Sequence, residues 1–228
     1  MRDRARAIVF ALLATAGEAC TLTRPLGDLT EGPSDAAPAP TPDYVIVRLQ
    51  EPSPEVDAVC EPEFLAANIM PTAKWVQCRA AWSDGPPRLH LCCMINDSTE
   101  DLDSTAIGGH VADSDSVTAV LLAGHDSTEP QGALVVTMNR AGAKWRATLN
   151  SSGGTVDSPE SLQATAVSNP TYYRIELTTE MDPALPDNPF ARCNLVVRDT
   201  PVDGGRVEPL FSQELMAPAT WGICQFLQ

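Results

Sequence analysis

The sequence has few aromatic residues and few positive charges. Aromatic residues make up 5% of the 228 positions, and 15 lysines and arginines stand against 30 aspartates and glutamates, for a net charge of −15. Such a surface repels phosphate, which argues against nucleic acids as partners and against docking on anionic lipids through basic patches. Because aromatic residues are scarce, each tryptophan is informative; the four are Trp75, Trp82, Trp145 and Trp221.

The sequence also lacks the common signatures of enzymes. It contains no Gly-x-Ser-x-Gly, no His-Glu-x-x-His and no phosphate-binding loop motif. Its histidines are His90, His110 and His125, which offer little from which to build a triad or a zinc site. We therefore predict that the protein is not an enzyme. His90 and Met94 lie in one predicted strand and could ligate haem, although ordinary strand residues are the alternative interpretation.

The N-terminal apolar run is too short to span a bilayer. The segment "MRDRARAIVFALLATAGEAC" has three arginines, then this apolar run, then small residues, which is the pattern of a secretory signal. Ala14-Thr15-Ala16 fits ordinary signal peptidase, whereas Ala19-Cys20 resembles the end of a bacterial lipoprotein signal. Seven cysteines are present, and lipidation of Cys20 would leave an even set of six. We predict a signal peptide over 1–19 and a membrane-anchored lipoprotein; free secretion, with Cys20 cleaved off or unmodified, is the alternative.

The rest of the chain divides into a tether and a strand-rich domain. Residues 20–43 are rich in proline, alanine and acids without periodicity, which predicts an extended tether. Beyond it, short apolar runs with β-branched residues alternate with Pro, Gly, Asp, Asn and Ser. These runs predict ten strands, at 44–49, 74–82, 88–96, 116–123, 132–139, 145–150, 162–168, 172–180, 193–199 and 222–227. We therefore predict an all-β fold, an antiparallel β-sandwich over 44–228, with one short helical turn near 61–70.

Six further cysteines lie in or beside the predicted strands. They are Cys60, Cys78, Cys92, Cys93, Cys193 and Cys224. Export predicts that they form disulfides, and neighbouring residues such as Cys92 and Cys93 point to opposite faces of a strand and do not easily pair. We expect a local bridge between Cys60 and Cys78, while the spacing leaves the other pairings open. A zinc site is the alternative, but no Cys-x-x-Cys spacing is present.

Several stretches, in their order along the chain, resemble the family 9 carbohydrate-binding modules. These are "LHLCCMINDST", "DSDSVTAVLL", "RCNLVVRDTPVDGGR" and "APATWG", preceded by "SPEVDAVCEPEFLAA", which is similar to the start of the family's domain. The resemblance runs from about residue 52 to residue 228. It implies a β-sandwich whose sugar-binding members grip a terminal sugar between two tryptophans with the help of polar side chains.

The resemblance also implies candidate ligand-binding residues. Trp221 matches one clamp tryptophan, and a core residue plugging the end of the sandwich is the alternative. Ala112 stands near the position of the second tryptophan, with His110 close by, and Thr118 replaces a glutamate. Arg140 matches a polar contact, with an exposed end-of-strand arginine as the alternative. We predict a non-catalytic surface protein that holds a saccharide at the loop end of the sandwich; a structural or protein-interaction module that has lost sugar binding is the alternative.

An acidic stretch between the third and fourth predicted strands raises the question of a metal. Asp97, Asp101 and Asp103 alternate with polar residues, and carboxylate oxygens are ligands that calcium accepts. No EF-hand spacing is present, and a solvated loop of an acidic protein is the alternative. Apart from this calcium site, we expect no cofactor.

Overall fold

Twelve β-strands form about half of the described chain. A computed structural model describes residues 39–50, 55–60, 67, 69–97, 105–152, 154–183, 185, 189–200 and 205–227. The strands are β1 (Tyr44–Arg48), β2 (Val76–Ser83), β3 (Arg88–Asn96), β4 (Ser116–Ala123), β5 (Leu134–Asn139), β6 (Lys144–Leu149), β7 (Thr155–Asp157), β8 (Leu162–Ser168), β9 (Tyr172–Glu180), β10 (Phe190–Asp199), β11 (Arg206–Pro209) and β12 (Gly222–Phe226). Three short 3₁₀ turns accompany them, namely η1 (Gly108–Asp113), η2 (Pro159–Ser161) and η3 (Pro218–Thr220).

The all-β prediction is confirmed, and each of the ten predicted strands is present. Strands β7 and β11 are additional. The signal peptide, Cys20, most of the tether, most of the expected turn near 61–70, and both Asp101 and Asp103 lie outside the described residues. Within the described residues, no helix has the length and apolar character needed to cross a membrane.

The strands form two sheets that share β1. Sheet A has the order β7-β6-β5-β4-β10-β12-β1. One edge of β10 pairs with β12 along its first half and with β11 along its second half. Sheet B has the order β1-β2-β3-β9-β8. Strand β1 runs parallel to both β12 and β2, and the other pairs are antiparallel. The sandwich is therefore mixed at β1, because β12 and β2 run in the same direction on either side of it.

The main core lies between the sheets. Alternate residues of the longer strands of both sheets point into it, as Leu89, Leu91, Cys93 and Ile95 of β3 do. Strands β4 and β5 are buried on both faces, because a second cluster covers the face of sheet A that is turned away from sheet B. Burial on both faces explains why "SVTAVLLA" reads as a nearly continuous apolar run.

The six cysteines of the domain form three disulfides. The pairs are Cys60–Cys92, Cys78–Cys93 and Cys193–Cys224. The expected Cys60–Cys78 bridge is wrong, because Cys78 is paired in register with Cys93 across β2 and β3. Cys92 points to the opposite face, where it meets Cys60. These pairings exclude a zinc site built from the six cysteines, and three disulfides are typical of a protein in an oxidising compartment.

Candidate functional site

The candidate site lies on the face of sheet A that is turned away from sheet B, which we call the outer face. The register of four neighbouring strands aligns one row of residues across this face. In order from β6 through β5 and β4 to β10, the row consists of Trp145, Thr137, Thr118 and Val196. Side chains on one face of neighbouring strands lie close together. The row therefore joins an aromatic residue at one side to polar and apolar residues at the centre.

The turn η1 covers one end of the outer face. Ser116 Oγ donates to the carbonyl of Ala112 at 3.3 Å, and Asn139 Nδ2 donates to Ser114 Oγ at 3.1 Å. These bonds fix the chain around η1 to β4 and β5, and η1 also packs on β6. Val111 points inward and is fully buried. His110 and Asp113, the polar side chains of η1, are consequently held near the end of sheet A that includes β6.

Trp221 packs against this face as a buried residue. It is 3% exposed and packs in the second cluster with Val120, Val135 and neighbouring apolar side chains. Its Nε1 donates to the carbonyl of Glu214 at 2.9 Å. Stacking on a sugar requires an exposed ring face. In this structure Trp221 is buried, which agrees with the alternative interpretation of the sequence, that Trp221 is a core residue. Its ligand-binding role stays a prediction.

The glycine after Trp221 has a packing role. A Cβ on Gly222 would overlap the ring of Phe211, so only glycine allows the start of β12 to lie against that ring. Leu215 follows in the same segment and packs on the second cluster beside Trp221. Trp221 and Gly222 therefore both help the 211–221 segment to pack against sheet A.

Thr118 and Thr137 satisfy each other at the centre of the outer face. Both are buried, and their hydroxyl oxygens are 2.9 Å apart. The family's glutamate would place a carboxylate at Thr118, but here the hydroxyl is paired within the protein. Thr118 is therefore less able to bind a ligand than the glutamate that the family has at this position.

His110 is the predicted site residue that reaches solvent. Its side chain is 83% exposed, and its Nδ1 lies 2.9 Å from Asp113 Oδ2 within η1. The imidazole and the carboxylate together present a donor and an acceptor at the edge of the outer face.

Trp145 is an aromatic residue of this face that the sequence reasoning did not assign to the site. It is half-buried, packs against the second cluster, and its Nε1 donates to Asp157 Oδ1 at 2.8 Å. The alternation of "KWRATL" places Trp145 on the same face as Ala147 and Leu149. Trp145 lies near η1 only because β6 pairs with β5, and the sequence alone does not show this pairing.

Arg140 lies elsewhere, inside the end of the sandwich. Its side chain is fully buried; Nε donates to Ser168 Oγ at 2.8 Å, Nη1 to Asp97 Oδ2 at 2.9 Å and Nη2 to the carbonyl of Asn169 at 3.1 Å. Asp115 Oδ2 is 3.7 Å from Nη1. The alternative interpretation, an exposed arginine at a strand end, is therefore wrong, because the guanidinium is buried and ties together the loops after β3, before β4 and after β8. A direct role in ligand binding stays a prediction.

Three carboxylates converge around this arginine. Asp97, Asp115 and Asp199 are buried, and their oxygens lie within 4.8 Å of one another. Arg206 donates to Asp199 through Nε at 2.6 Å and stacks over Trp75, with 4.4 Å from its guanidinium carbon to the ring centroid. The carboxylates have the chemistry to hold a cation, and in this structure arginine side chains provide the positive charge. Calcium binding by Asp97 stays a prediction.

Tyr173 supports the same group of charges. The guanidinium carbon of Arg140 lies 5.0 Å from the centroid of its ring. Burial, and then the nearby Asp115, Asp97 and Asp199, raise the pKa of the Tyr173 phenol, which therefore stays protonated at neutral pH.

His90 lies on sheet B and is fully buried. Its Nε2 is 2.8 Å from Ser83 Oγ, and its Nδ1 is 2.7 Å from Thr178 Oγ1. Burial, assisted by Arg88, lowers the pKa of His90 to about 4. Both ring nitrogens are engaged by hydroxyl groups, which leaves neither for a haem iron. Ser83 and His90 are both buried, so the contact between them is closed to substrate.

Comparisons with known proteins place this fold. Comparison with family models gives no match, and comparison with curated proteins gives none. Among solved structures, a family 9 carbohydrate-binding module from Caldicellulosiruptor kristjanssonii, in complex with cellotriose, matches with a TM-score of 0.60 at 14% identity, covering 80% of this chain and 93% of that one. The complex of such a module from the same organism with glucose gives 0.58 at 16%, covering 81% and 96%. A candidate carbohydrate-binding protein from Bacteroides uniformis ATCC 8492 gives 0.62 at 12%, covering 81% and 98%.

The class is therefore that of β-sandwich modules. Within it, this chain has the fold of the family 9 carbohydrate-binding modules, which confirms the fold implied by the sequence motifs. At these identities the likeness establishes the fold, and the residues of the outer face must be judged by their own chemistry.

Proposed function

We propose that this chain is the non-catalytic saccharide-binding module of an exported protein. The observation that carries the proposal is the fold, which covers most of the chain and is shared with modules solved with cellotriose and glucose. A surface that combines a partly exposed indole, an imidazole and carboxylates suits sugar hydroxyls and sugar C–H faces. These groups bind and orient a ligand, and no step of bond cleavage is assigned to them.

In this proposal the three sequence-predicted residues have different tasks. His110 contacts the saccharide from η1, because its side chain reaches solvent beside the outer face. Trp221 packs onto the outer face as part of the second cluster and holds the neighbouring segment against it. Arg140 holds the loop ends together around Asp97 and Asp115. The saccharide thus lies at the η1 end of sheet A.

The proposed location is the outside of the cell, with a lipid on Cys20. The three disulfides support export, and the signal pattern followed by Ala19-Cys20 supports the anchor. Incorporation of labelled palmitate that is lost in Cys20→Ala is the expected result in a bacterial host. A mature chain that begins at Gly17 and carries no lipid would contradict the anchor and leave free secretion.

A second candidate function is a structural or protein-interaction module that has lost sugar binding. Three observations favour it: Trp221 is buried, Ala112 stands near the position of the family's second tryptophan, and Thr118 is paired with Thr137. This candidate keeps the sandwich and the surface location and removes only the ligand.

A glycan-array and affinity-gel screen of the mature chain separates the two candidates. We expect retention by at least one neutral saccharide, and we expect Trp221→Phe, which keeps an aromatic ring in the core, to bind with little change. Failure of the wild type to bind any saccharide would favour the interaction module. A well-folded Trp221→Phe protein that loses binding would show that the Trp221 indole itself contacts the sugar.

A further inference from the structure

We infer that Trp145 is the stacking platform of the saccharide site, and this inference rests on the proposed function. Trp145 combines partial exposure with a place on the outer face beside η1, whereas Trp221 on the same face is buried. The ligand class is a neutral pyranose, whose apolar C–H face covers the indole.

The orientation of the Trp145 ring is fixed by two contacts. The second apolar cluster packs against the ring on the protein side. The bond from Nε1 to Asp157 Oδ1, 2.8 Å long, ties the indole edge to β7. A ring held in this way loses little conformational freedom when a sugar binds, which favours affinity. The part of the ring that the cluster leaves uncovered is the part a sugar would contact.

Polar groups adjoin the platform on two sides. On one side η1 packs on β6 and presents His110 with Asp113. On the other side Asp157 is exposed, and its carboxylate accepts the bond from the indole. Hydroxyl groups of a sugar can donate to these carboxylates, and the imidazole can supply or accept one bond. The same carboxylates, in a chain of net charge −15, repel uronates and sulfated sugars. Selectivity for neutral sugars follows.

This arrangement also supplies an aromatic side chain where the family resemblance implied a second tryptophan that this sequence lacks. Ala112 on η1 stands near the position where the family resemblance expected a second tryptophan. Trp145 lies on β6, against which η1 packs, so its indole is brought to the same end of sheet A from a different strand.

The test is a fluorescence titration of the mature chain with cellotriose as the neutral probe and polygalacturonate as the acidic one. We expect cellotriose to change the tryptophan fluorescence and polygalacturonate to bind at least about tenfold more weakly. Trp145→Ala should weaken cellotriose binding by about tenfold or more, a loss of about 1.4 kcal/mol per factor of ten. Trp145→Phe should keep binding within about threefold in calorimetry while losing most of the fluorescence change, because the platform remains and the reporter is gone.

Val156→Ala is the matched control. Val156 is exposed on the adjacent strand β7, and we expect its replacement to leave cellotriose binding unchanged. Circular dichroism and thermal unfolding establish that each variant is folded. Wild-type binding that persists at full strength in folded Trp145→Ala would overturn the platform and leave the proposed function standing. Absence of binding by the wild type to any saccharide would overturn the proposed function and the platform with it.

Discussion

At the scale of single residues, the four tryptophans differ in what they contact. Trp82 and Trp221 are buried, and each donates its Nε1 to a main-chain carbonyl, of Leu227 and Glu214 respectively. Trp75 lies under the guanidinium of Arg206, and Trp145 is half-buried on the outer face. The sequence singled out Trp221, because its motif is recognisable, but burial depends on the segment that folds over it. Trp145 lies in no such motif, and the pairing of β6 with β5 places it on the outer face.

Arg140 gives a prediction about stability. Replacing it with Met keeps most of its bulk but removes the buried guanidinium that pairs with Asp97 and lies beside Asp115. Removal of one partner from a buried ion pair costs about 3 to 5 kcal/mol. We therefore expect Arg140→Met to lower the free energy of unfolding by that amount in chemical denaturation.

Arg48→Met is the control for Arg140. Arg48 forms an exposed pair with Asp84, and exposed pairs contribute about 0 to 1 kcal/mol. Equal losses in the two variants would contradict the buried network as described. A stable Arg140→Met protein that no longer binds sugar would instead identify Arg140 as a ligand contact.

His90 gives a prediction about pH. Burial first, and Arg88 second, lower the pKa of His90 from 6.5 to about 4, so the unfolded chain binds a proton at a higher pH than the folded one. The contribution of His90 to stability is therefore complete above about pH 6.5 and is lost as the pH falls towards 4. At about 1.4 kcal/mol per pH unit, the loss amounts to about 3 kcal/mol.

Urea denaturation of the wild type and His90→Gln between pH 7 and pH 4.5 checks this prediction. We expect the free energy of unfolding to fall more steeply with decreasing pH in the wild type, above all between pH 6.5 and 5, where most carboxylates remain ionised. Identical slopes in the two proteins would show that His90 is not buried in its neutral form.

At the scale of elements, alternation and turn residues were sufficient to predict the ten longer strands. Strands β3, β4, β8 and β9 begin and end where the sequence predicted, because polar or turn-forming residues stop the apolar pattern there. Strand β7 has three exposed residues and β11 has four residues, so neither carries an apolar pattern. Their places come from pairing with longer neighbours.

Pairing between elements was less predictable than the elements themselves. The parallel alignment of β1 with β12 and β2 joins the two ends of the domain, which no local signal encodes. The Cys78–Cys93 disulfide depends likewise on the β2 and β3 register, so Cys60, the cysteine that precedes Cys78 in the sequence, was the wrong partner. The opposite orientation of Cys92 and Cys93, in contrast, follows from strand geometry alone and was foreseeable.

At the scale of the whole molecule, charge and cysteine content are consistent with the proposed function and the proposed export. A net charge of −15 disfavours polyanionic partners, and six cysteines form three disulfides. The fold of family 9 carbohydrate-binding modules was foreseeable from the order of motifs, since those motifs mark turns and strand starts that the fold requires. The position of the ligand was not, because it depends on which side chains the loops bury.

Amide and indole chemical-shift mapping during a titration with cellotriose tests the central claim most directly. Each tryptophan indole gives its own N–H signal, so the four environments are observed together. The account predicts the largest shifts at the Trp145 indole and at the amides of η1 around His110, with little change at Trp75 or Trp82. Saturating cellotriose that shifts no signal, or shifts confined to sheet B or to the Trp75 end of the sandwich, would contradict a saccharide site on the outer face.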